Sequence, residues 1–278
     1  MTLDDINAAV AEVRTLPLVR FNPAAGEDAS RWINKKHATG NPHEPATIAA
    51  FLAARKQRKI ATVYDVGALF GYFSLVAQQV FDGVAVVAFE MHPGAIKKLM
   101  LNVPGIACVR AALSDETCYK VKSWISGFNI YREPEGGWDR LADVPGAMKQ
   151  RGENNRGRAF HDLDFVTLDG CLAEFPDLPK PDLIKIDVEG YQAKAIRGAM
   201  GTIAAHKPII VVELHDLEKL ARFGTTNKRT VQPLYDLGYR GFWCGNHRDM
   251  DARFEAVAEM AERHERLSIM VFAPRECV

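Results

Sequence analysis

Apolar segments that alternate with helical ones are the feature that most restricts the fold of this chain. The runs IATVYDVG, VAVVAFE, IACVRAAL, PDLIKIDVE and KPIIVVELH begin at residues 60, 84, 106, 181 and 207. Segments with helical periodicity, among them FSLVAQQVF and PGAIKKLMLNV, follow several of them. Continuous apolar strands that alternate with helices are typical of a parallel sheet covered on both faces. The sequence therefore predicts a doubly wound α/β fold.

The two ends of the chain depart from this alternation. Residues 1–57 are predicted to form an N-terminal helical segment, in which Asp4 caps the first helix and TIAAFLAARKQ forms a later one. The α/β domain is then expected to occupy 58–278. Near its end YRGFWCG and LSIMVFAP are predicted strands, and DARFEAVAEMAERHER between them is a predicted helix.

Residues 119–165 fit the alternation least well. Three large aromatic residues, Trp124, Tyr131 and Trp138, precede the basic polar run KQRGENNRGR at 149–158. Two interpretations remain open for this segment, a surface excursion with a flexible tip or a cap over the substrate.

Charge and cysteine usage narrow the classes of partner. Lys and Arg number 35 and Asp and Glu number 35, so the formal net charge is zero and gives no overall attraction to nucleic acid. The start, MTLDDINAAVAEVRTL, is acidic where a signal peptide is basic, and no apolar run approaches the ~20 residues of a membrane span. Five cysteines without a CxxC pair are typical of reduced thiols, so we expect a cytoplasmic location.

A glycine turn follows the first predicted strand. In YDVGALFGYFS, at 64–74, the strand runs into Gly67 and then Gly71 before a helix begins. Glycine there lets the backbone pass close to a ligand at the carboxyl ends of the strands. The run lacks the third glycine of a dinucleotide turn and the Lys-Ser/Thr of a phosphate-binding loop. An acidic turn with Asp65 and no phosphate cradle suits the α-ammonium group of a methionine-sulfonium cofactor.

Acidic residues end three further predicted strands. Glu90 ends the second strand, where a carboxylate can accept both ribose hydroxyls of an adenosine; alone, it equally suits a helix cap or the surface. Asp187 and Glu189 end the fourth strand, and Glu213 and His215 share one face of the fifth. Charges that end buried strands are costly unless they are paired or used, so these residues are candidates for a site.

Together these four segments resemble the FkbM family of methyltransferases. The family joins a DVGxxxGxxS-like turn, an AFEPxP-like second strand, an IKIDVEG fourth strand and a PxIxxExH-like fifth strand, and all four occur here in order. The resemblance implies an S-adenosylmethionine-dependent enzyme with the Rossmann-like class I methyltransferase fold. That fold has a seven-stranded sheet whose last strand, here LSIMVFAP, lies antiparallel beside the fifth. Ala68 and Met91 depart from the family pattern, which usually has Asn and Pro there.

The resemblance also implies a set of cofactor-binding residues. Glu44, in PHEPAT at 42–47, matches the short segment before the family's core and is expected to close over the cofactor ammonium. The alternative for Glu44 is an exposed acid at the start of the next helix. The full expected set is Glu44, Asp65, Gly67, Ala68, Phe70, Gly71, Ser74, Glu90, Met91 and Asp187.

Methyl transfer from a sulfonium needs a positioned acceptor and a place for its proton. The expected acceptor is a hydroxyl oxygen of a sugar or secondary metabolite, and the candidate catalytic residues are Asp187, Glu213 and His215. His215 is expected to take the proton, or else to be a structural histidine bonded to Glu213 or to the backbone. Mg²⁺ prefers more oxygen ligands than the two carboxylates evident here, so a site without metal is favoured. Glu189 is expected to cap the following helix.

Two other functions remain open from the sequence. One is a nicotinamide-dependent oxidoreductase on a related sheet, which the missing third glycine and the IKIDVEG string disfavour. The other is a non-catalytic binding module that has kept the fold, which the intact Gly67, Gly71 and Glu90 disfavour. The sequence carries no signal for the oligomeric state.

Overall fold

Two β-sheets organise the part of the chain that the structure describes. This computed structural model describes residues 1–126, 129–132 and 160–275. Its strands are, in chain order, β1 (Thr62–Val66), β2 (Ala85–Phe89), β3 (Ala107–Val109), β4 (Ala112–Leu113), β5 (Cys118–Ser126), β6 (Asn129–Arg132), β7 (Phe160–Val166), β8 (Leu183–Ile186), β9 (Ile209–Leu214), β10 (Arg240–Cys244), β11 (Glu255–Val257) and β12 (Ser268–Ala273).

The larger sheet is mostly parallel and has the strand order β11-β10-β12-β9-β8-β1-β2-β3. The strands β3, β2, β1, β8 and β9 run parallel, and β12 is antiparallel to β9 and β10 on either side of it. The predicted α/β fold and the antiparallel position of the last strand are confirmed. The predicted strand number of seven is wrong, because β11 pairs with β10 and adds an eighth strand.

The strand β11 lies in a segment predicted to be a helix, residues 251–266. Phe254, Val257 and Met260 are buried, and their three-residue spacing resembles one face of a helix. In the structure they enter the core from a short extended strand and the loop around it. The helical prediction is therefore wrong, because the spacing arises here from strand and turn geometry.

Helices cover both faces of the larger sheet. None of the described helices is long and apolar enough to cross a bilayer. The α-helices are, in chain order, α1 (Leu3–Glu12), α2 (Glu27–Lys36), α3 (Pro45–Gln57), α4 (Tyr72–Val80), α5 (Pro93–Asn102), α6 (Leu168–Glu174), α7 (Gln192–Arg197), α8 (Met200–His206), α9 (Leu217–Ala221) and α10 (Asn227–Asp236).

The N-terminal helices belong to the same core as the sheet. Helix α3 is buried from Pro45 to Ala54, because α1 packs on one side of it and β9 and β12 lie on the other. Its side chains share one apolar cluster with α4 and with residues of β1, β9 and β12. This packing fixes the start of α3, and with it Glu44, near the carboxyl end of β9.

Helix α1 begins with a reciprocal pair of hydrogen bonds. The Thr2 hydroxyl accepts from the N–H of Asp5 at 3.1 Å, and the Asp5 carboxylate accepts from the N–H of Thr2 at 2.7 Å. The prediction that Asp4 caps this helix is wrong. Thr2 is the cap, and Asp5, three residues later, is the acid of the capping box.

The second sheet accounts for part of the irregular segment at 119–165. It has the order β4-β7-β5-β6, and β4 continues the chain from β3, so the predicted third strand is divided between two sheets. Trp138 and the basic run at 149–158 lie outside the described residues, as do the side chains of Trp124 and Tyr131. The cap over the substrate therefore stays a prediction.

Two short helices follow β8, and Gly198 lies between α7 and α8. A Cβ atom added to Gly198 would lie 1.7 Å from the carbonyl oxygen of Ser114, just after β4. The carbonyl oxygen of Gly198 also accepts from the N–H of Asp169 at 3.1 Å. Glycine is required here because two backbone segments approach each other closely.

We expect Gly198→Ala to lower the free energy of unfolding by about 3 kcal/mol, the upper range for overpacking. The matched control is Gly105→Ala, which has a φ of +78° but no atom within 4 Å of the added Cβ. It should cost only about 1–2 kcal/mol, from the left-handed backbone alone. Urea unfolding of both variants measures the difference, and equal losses would contradict a clash at Gly198.

Candidate functional site

A cavity of about 530 Å³ opens at the carboxyl ends of β1, β2, β8 and β9. Its volume lies in the usual range for ligand-binding pockets. Carboxylates from four separate parts of the chain border it, namely Glu44, Glu90, Asp187, Glu189 and Glu213. The parallel sheet thus brings together the acidic residues that the sequence placed at the ends of different strands.

The turn after β1 passes directly beside the end of β8. Gly67 has a φ of +80°, and its N–H donates to the carbonyl oxygen of Phe89 at 2.9 Å. A Cβ atom at Gly67 would lie 1.9 Å from the carbonyl oxygen of Asp187. Only glycine allows this approach, which makes Gly67 part of the cavity wall.

Glu90 is held rigidly at the end of β2. One carboxylate oxygen accepts from the N–H of Leu69 at 2.8 Å, and the other accepts from the N–H of His92 at 2.7 Å. Burial raises the pKa of Glu90 in spite of these bonds. Each oxygen retains a second lone pair, so the carboxylate can still accept from a ligand hydroxyl in the cavity.

Asp65 lies behind the turn and does not border the cavity. It accepts from the hydroxyl of Ser74 at 2.7 Å, and it lies 3.5 Å from the ammonium of Lys185. Lys185 lies at the same distance of 3.5 Å from Asp187. Burial by itself would lower the pKa of Lys185, but the carboxylates of Asp187 and Asp65 raise it. The lysine is therefore a buried cation that joins β1 to the end of β8.

Besides Asp65, four more of the turn residues expected to bind the cofactor do not border the cavity: Ala68, Phe70, Gly71 and Ser74. Gly71 instead allows close packing, since a Cβ there would lie 2.7 Å from side-chain carbons of Leu99 and Val103. Met91 does border the cavity. The turn thus presents a short length of backbone to a ligand, while its other side chains hold it in place.

Glu44 is buried at the start of α3 with a left-handed backbone, φ 51°. The Nε2 atom of His43 lies 3.1 Å from its carboxylate, and the Thr47 hydroxyl donates to it at 3.4 Å. Burial is the largest single effect and opposes ionisation of Glu44, but the hydrogen bond and attraction from His43, together with His247, lower its pKa. The alternative of an exposed acid is wrong, because α1 and the sheet bury this helix start.

Asp187 and Glu213 share a hydrogen bond at the cavity wall and have opposite pKa shifts. Burial acts against the charge of Asp187, but Lys185 and the bond from Glu213 lower its pKa to about 2. Burial first, and then repulsion from Asp187 and Glu44, raise the pKa of Glu213 well above its usual range. A proton that reaches the pair is therefore held by Glu213 in preference to Asp187.

His215 lies beside this pair but does not border the cavity. Its Nε2 atom is 3.5 Å from Glu213 and 3.4 Å from Glu189, and its Nδ1 atom is 2.6 Å from the Nε2 atom of Gln192. The three candidate catalytic residues are thus brought together as the strand pattern predicted. Asp187 and Glu213 face the cavity, and His215 lies behind Glu213.

Two groups of three side chains in the described part of the chain have the spacing of metal ligands: Glu44, Glu213 and His247, and Asp187, Glu213 and His215. In the first, the guanidinium of Arg248 lies 3.1 Å from Glu213 and 3.6 Å from Glu44, so a cation already occupies that place. In the second, Gln192 donates to Nδ1 of His215, whereas a metal-binding histidine donates from its second nitrogen. Neither donor set fits a metal ion.

The prediction that Glu189 caps the next helix is wrong. Glu189 has a φ of 54°, and its carboxylate pairs with Lys219 and approaches His215 at 3.4 Å. Helix α7 begins at Gln192 after Tyr191, which makes no side-chain cap. The left-handed backbone turns Glu189 toward α9 instead of along α7.

Several residues at the site were missed by sequence reasoning. Lys185 is the one charged residue inside the strand run LIKI, and this charge in an apolar strand was the signal that the sequence offered. The structure pairs the lysine with an acid on either side of it. His43, His247 and Arg248 lie in loops, and Gln192 lies at the start of a short helix. Their positions follow from tertiary packing, which no local pattern reports.

A comparison with known families gives one match, to the methyltransferase FkbM domain, over residues 65–240. These residues include the turn after β1, Glu90, Asp187 and Glu213, and they make up more than half of the chain. No curated protein matches the chain.

Solved structures with similar folds are distant in sequence. A methyltransferase FkbM from Methylobacillus flagellatus is 12% identical with a TM-score of 0.42, covering 96% of this chain and 58% of that protein. A precorrin-6y C5,15-methyltransferase from Geobacter metallireducens is 15% identical with a TM-score of 0.41, covering 82% of this chain and 87% of that one. An O-methyltransferase from Bacillus cereus is 10% identical with a TM-score of 0.40, covering 98% and 100%.

The raised pKa of Glu213 predicts how stability depends on pH. Because the folded pKa exceeds the unfolded one, protonation of Glu213 stabilises the fold at low pH, and this contribution is lost as pH rises through the folded pKa. We therefore expect Glu213→Gln to gain stability relative to the wild type as pH rises above about 4.3, the unfolded value. Urea unfolding at a series of pH values measures this, with equal m-values as the control for a common transition. A difference that stays constant with pH would contradict the assignment.

Proposed function

Because this chain belongs to the methyltransferase FkbM domain family, we propose that it transfers the methyl group of S-adenosylmethionine to a hydroxyl oxygen of a sugar or secondary metabolite. The observation that carries the proposal is the single cavity that joins Glu90 to Asp187 and Glu213. One end of this cavity offers a rigid carboxylate for a ribose. The other end offers a pair of carboxylates, of which Glu213 has the higher pKa.

The proposed cofactor position follows the wall of the cavity from β2 to β8. Glu90 is proposed to accept from the ribose hydroxyls, with Met91 beside the adenine, and the backbone at Gly67 to lie under the methionine part. Asp187 and Glu44 are proposed to face the ammonium group, since both border the cavity and both pKa values are lowered. Asp65 acts indirectly in this proposal, through Lys185. The cofactor supplies an activated methyl group and a neutral leaving sulfur.

The chain's own contribution to the reaction is position and proton transfer. An in-line displacement needs the acceptor oxygen on the side of the methyl group opposite the sulfur, and holding it there supplies much of the rate. A hydroxyl also has to lose its proton as the new bond forms. Asp187, Glu213 and His215 are the groups proposed to handle that proton, since their side chains lie within 4.8 Å of one another and the first two border the cavity.

The remaining walls suit a ring-bearing acceptor, on a small molecule or a glycan. Aromatic residues from several separate parts of the chain border the cavity, including Trp32, Phe165 and Tyr191. Tyr191 stands edge-on to Phe223 with ring centroids 5.3 Å apart, and Phe223 also borders the cavity. Aromatic faces pack against the apolar faces of sugar and other rings, so these side chains support the proposed acceptor class.

Binding and turnover separate this function from its two alternatives. Calorimetric titration with S-adenosylhomocysteine and with NAD tests the cofactor, and we expect heat of binding only with the first. Transfer of labelled methyl groups to a panel of sugars, glycans and hydroxylated metabolites tests the reaction. Binding of NAD alone would indicate an oxidoreductase, and binding of S-adenosylhomocysteine without transfer to any acceptor would indicate a binding module.

We expect Glu90→Ala to weaken binding of S-adenosylhomocysteine by about 1–3 kcal/mol, the cost of removing a hydrogen-bonding partner in a buried site. The control is Glu218→Ala, which removes an exposed carboxylate away from the cavity. Titration calorimetry gives the affinities, and thermal melts show whether each variant is folded. A folded Glu90→Ala with the affinity of the wild type would defeat the ribose assignment.

A further inference from the structure

We propose that Glu213 is the group that takes the proton of the acceptor hydroxyl, and that Gln192 is a positioning residue that makes His215 a hydrogen-bond donor to Glu213. The proposal rests on the proposed function and reverses the order of roles expected from the sequence. It is carried by the hydrogen bonds around Gln192, a side chain with no exposed surface.

The contacts of Gln192 fix the orientation of its amide. Its Nε2 atom lies 2.7 Å from the backbone carbonyl oxygen of Glu213 and 2.6 Å from Nδ1 of His215. A carbonyl oxygen only accepts, so the atom facing it is the NH₂ group, and the flipped amide would place two oxygens 2.7 Å apart. The same NH₂ group therefore donates its second hydrogen to Nδ1 of His215.

This donation determines which ring nitrogen of His215 carries the hydrogen. With Nδ1 accepting, the neutral ring has its hydrogen on Nε2. Nε2 lies 3.5 Å from Glu213 and 3.4 Å from Glu189, both of which are acceptors when ionised. The ring's one lone pair, on Nδ1, is thus occupied by the hydrogen bond from Gln192, and Nε2 carries the hydrogen. His215 has nothing with which to take a proton from the cavity, and it does not border the cavity.

Glu213 has the position and the basicity that His215 lacks. It borders the cavity, and Arg248 and His215 approach its two oxygens at 3.1 and 3.5 Å. Its raised pKa makes it a stronger base than Asp187, whose pKa is about 2. The titratable and charged groups that face Glu213 are Lys36, Glu44, Lys185, Asp187, His215, His247 and Arg248.

The proposed step balances without a further reactant. The acceptor oxygen forms a bond to the methyl carbon as the bond from that carbon to sulfur breaks, and the electron pair of the broken bond stays on sulfur. The proton of the acceptor hydroxyl moves to the ionised carboxylate of Glu213. Glu213 later returns it to solvent, and His215 and Arg248 hold the carboxylate in place throughout.

Turnover of three variants tests whether Glu213 takes the proton and whether His215 acts as a hydrogen-bond donor. Glu213→Gln is expected to lose at least about a hundredfold in turnover, since an amide takes no proton. His215→Gln keeps an N–H near the position of the ring Nε2, and it is expected to retain at least about tenfold more turnover than His215→Ala. Affinity for S-adenosylhomocysteine, measured by calorimetry, should change little in all three. Equal inactivity of the two His215 variants, or full turnover by Glu213→Gln, would overturn the proposal.

A second measurement needs no methyl acceptor. In protein labelled with ¹⁵N-histidine, protonated and unprotonated ring nitrogens resonate far apart, and the His215 signals are those missing in His215→Gln. We expect a protonated Nε2 and an unprotonated Nδ1 at neutral pH. The opposite tautomer would overturn the proposal. If no acceptor is methylated, the proposed function fails while this result still decides the tautomer.

Substitution of Gln192 tests its positioning role. Gln192→Leu removes the hydrogen bond to Nδ1 of His215, and this nitrogen is expected to become protonated. The resulting cationic His215 weakens the basicity of Glu213, so kcat should fall while KM for S-adenosylmethionine stays unchanged. The matched control is Asn227→Leu, which removes a buried amide that donates to the backbone carbonyl of His215 at 2.8 Å without contacting its ring. The control should keep the wild-type tautomer. The same change of ring signals in both variants would show a merely structural role and overturn the assignment of Gln192.

Discussion

The buried ammonium of Lys185 is the contact on which the rest of the site depends. It lies 3.5 Å from Asp65 on β1 and 3.5 Å from Asp187 after β8, and the ring of Phe73 lies 4.9 Å away. A buried cation is tolerated only when its partners are in place, and removing one partner is strongly destabilising. The ion pairs therefore fix β1 against β8, and this alignment brings the turn at Gly67 beside the end of β8.

Lys185 affects the cavity through two successive electrostatic interactions. Lys185 keeps Asp187 ionised, and the charge of Asp187 works against ionisation of its neighbour Glu213. Arg248, half exposed at the cavity rim, partly offsets that effect on Glu213. The difference in pKa between Asp187 and Glu213 thus depends on Lys185, which does not border the cavity. A substitution of Lys185 would alter the chemistry of the site as well as the stability of the fold.

The sequence predicted those parts of the fold and site that depend on local pattern and on topology. Apolar runs located the parallel strands, and the rule that their carboxyl ends share one edge brought Glu90, Asp187 and Glu213 together correctly. The prediction from sequence failed for β11, because apolar residues at every third position fit a helix as well as a short strand with its flanking loop. It also missed Gln192, because the hydrogen bonds of that side chain depend on how α7 packs against β9. Whether the expected cofactor residues bind it stays a prediction.

The place of β12 in the sheet has a consequence for how the protein is made. Glu213 lies near the end of β9. One neighbour of β9 in the sheet is β12, which follows both β9 and β10 in the chain. While a ribosome synthesises the chain, β9 has an open edge until residue 273 has left the exit tunnel. An unpaired apolar strand edge is prone to pair with other chains. The part of the sheet beside Glu213 is therefore the last to form, and its open strand edge is exposed until synthesis is nearly complete.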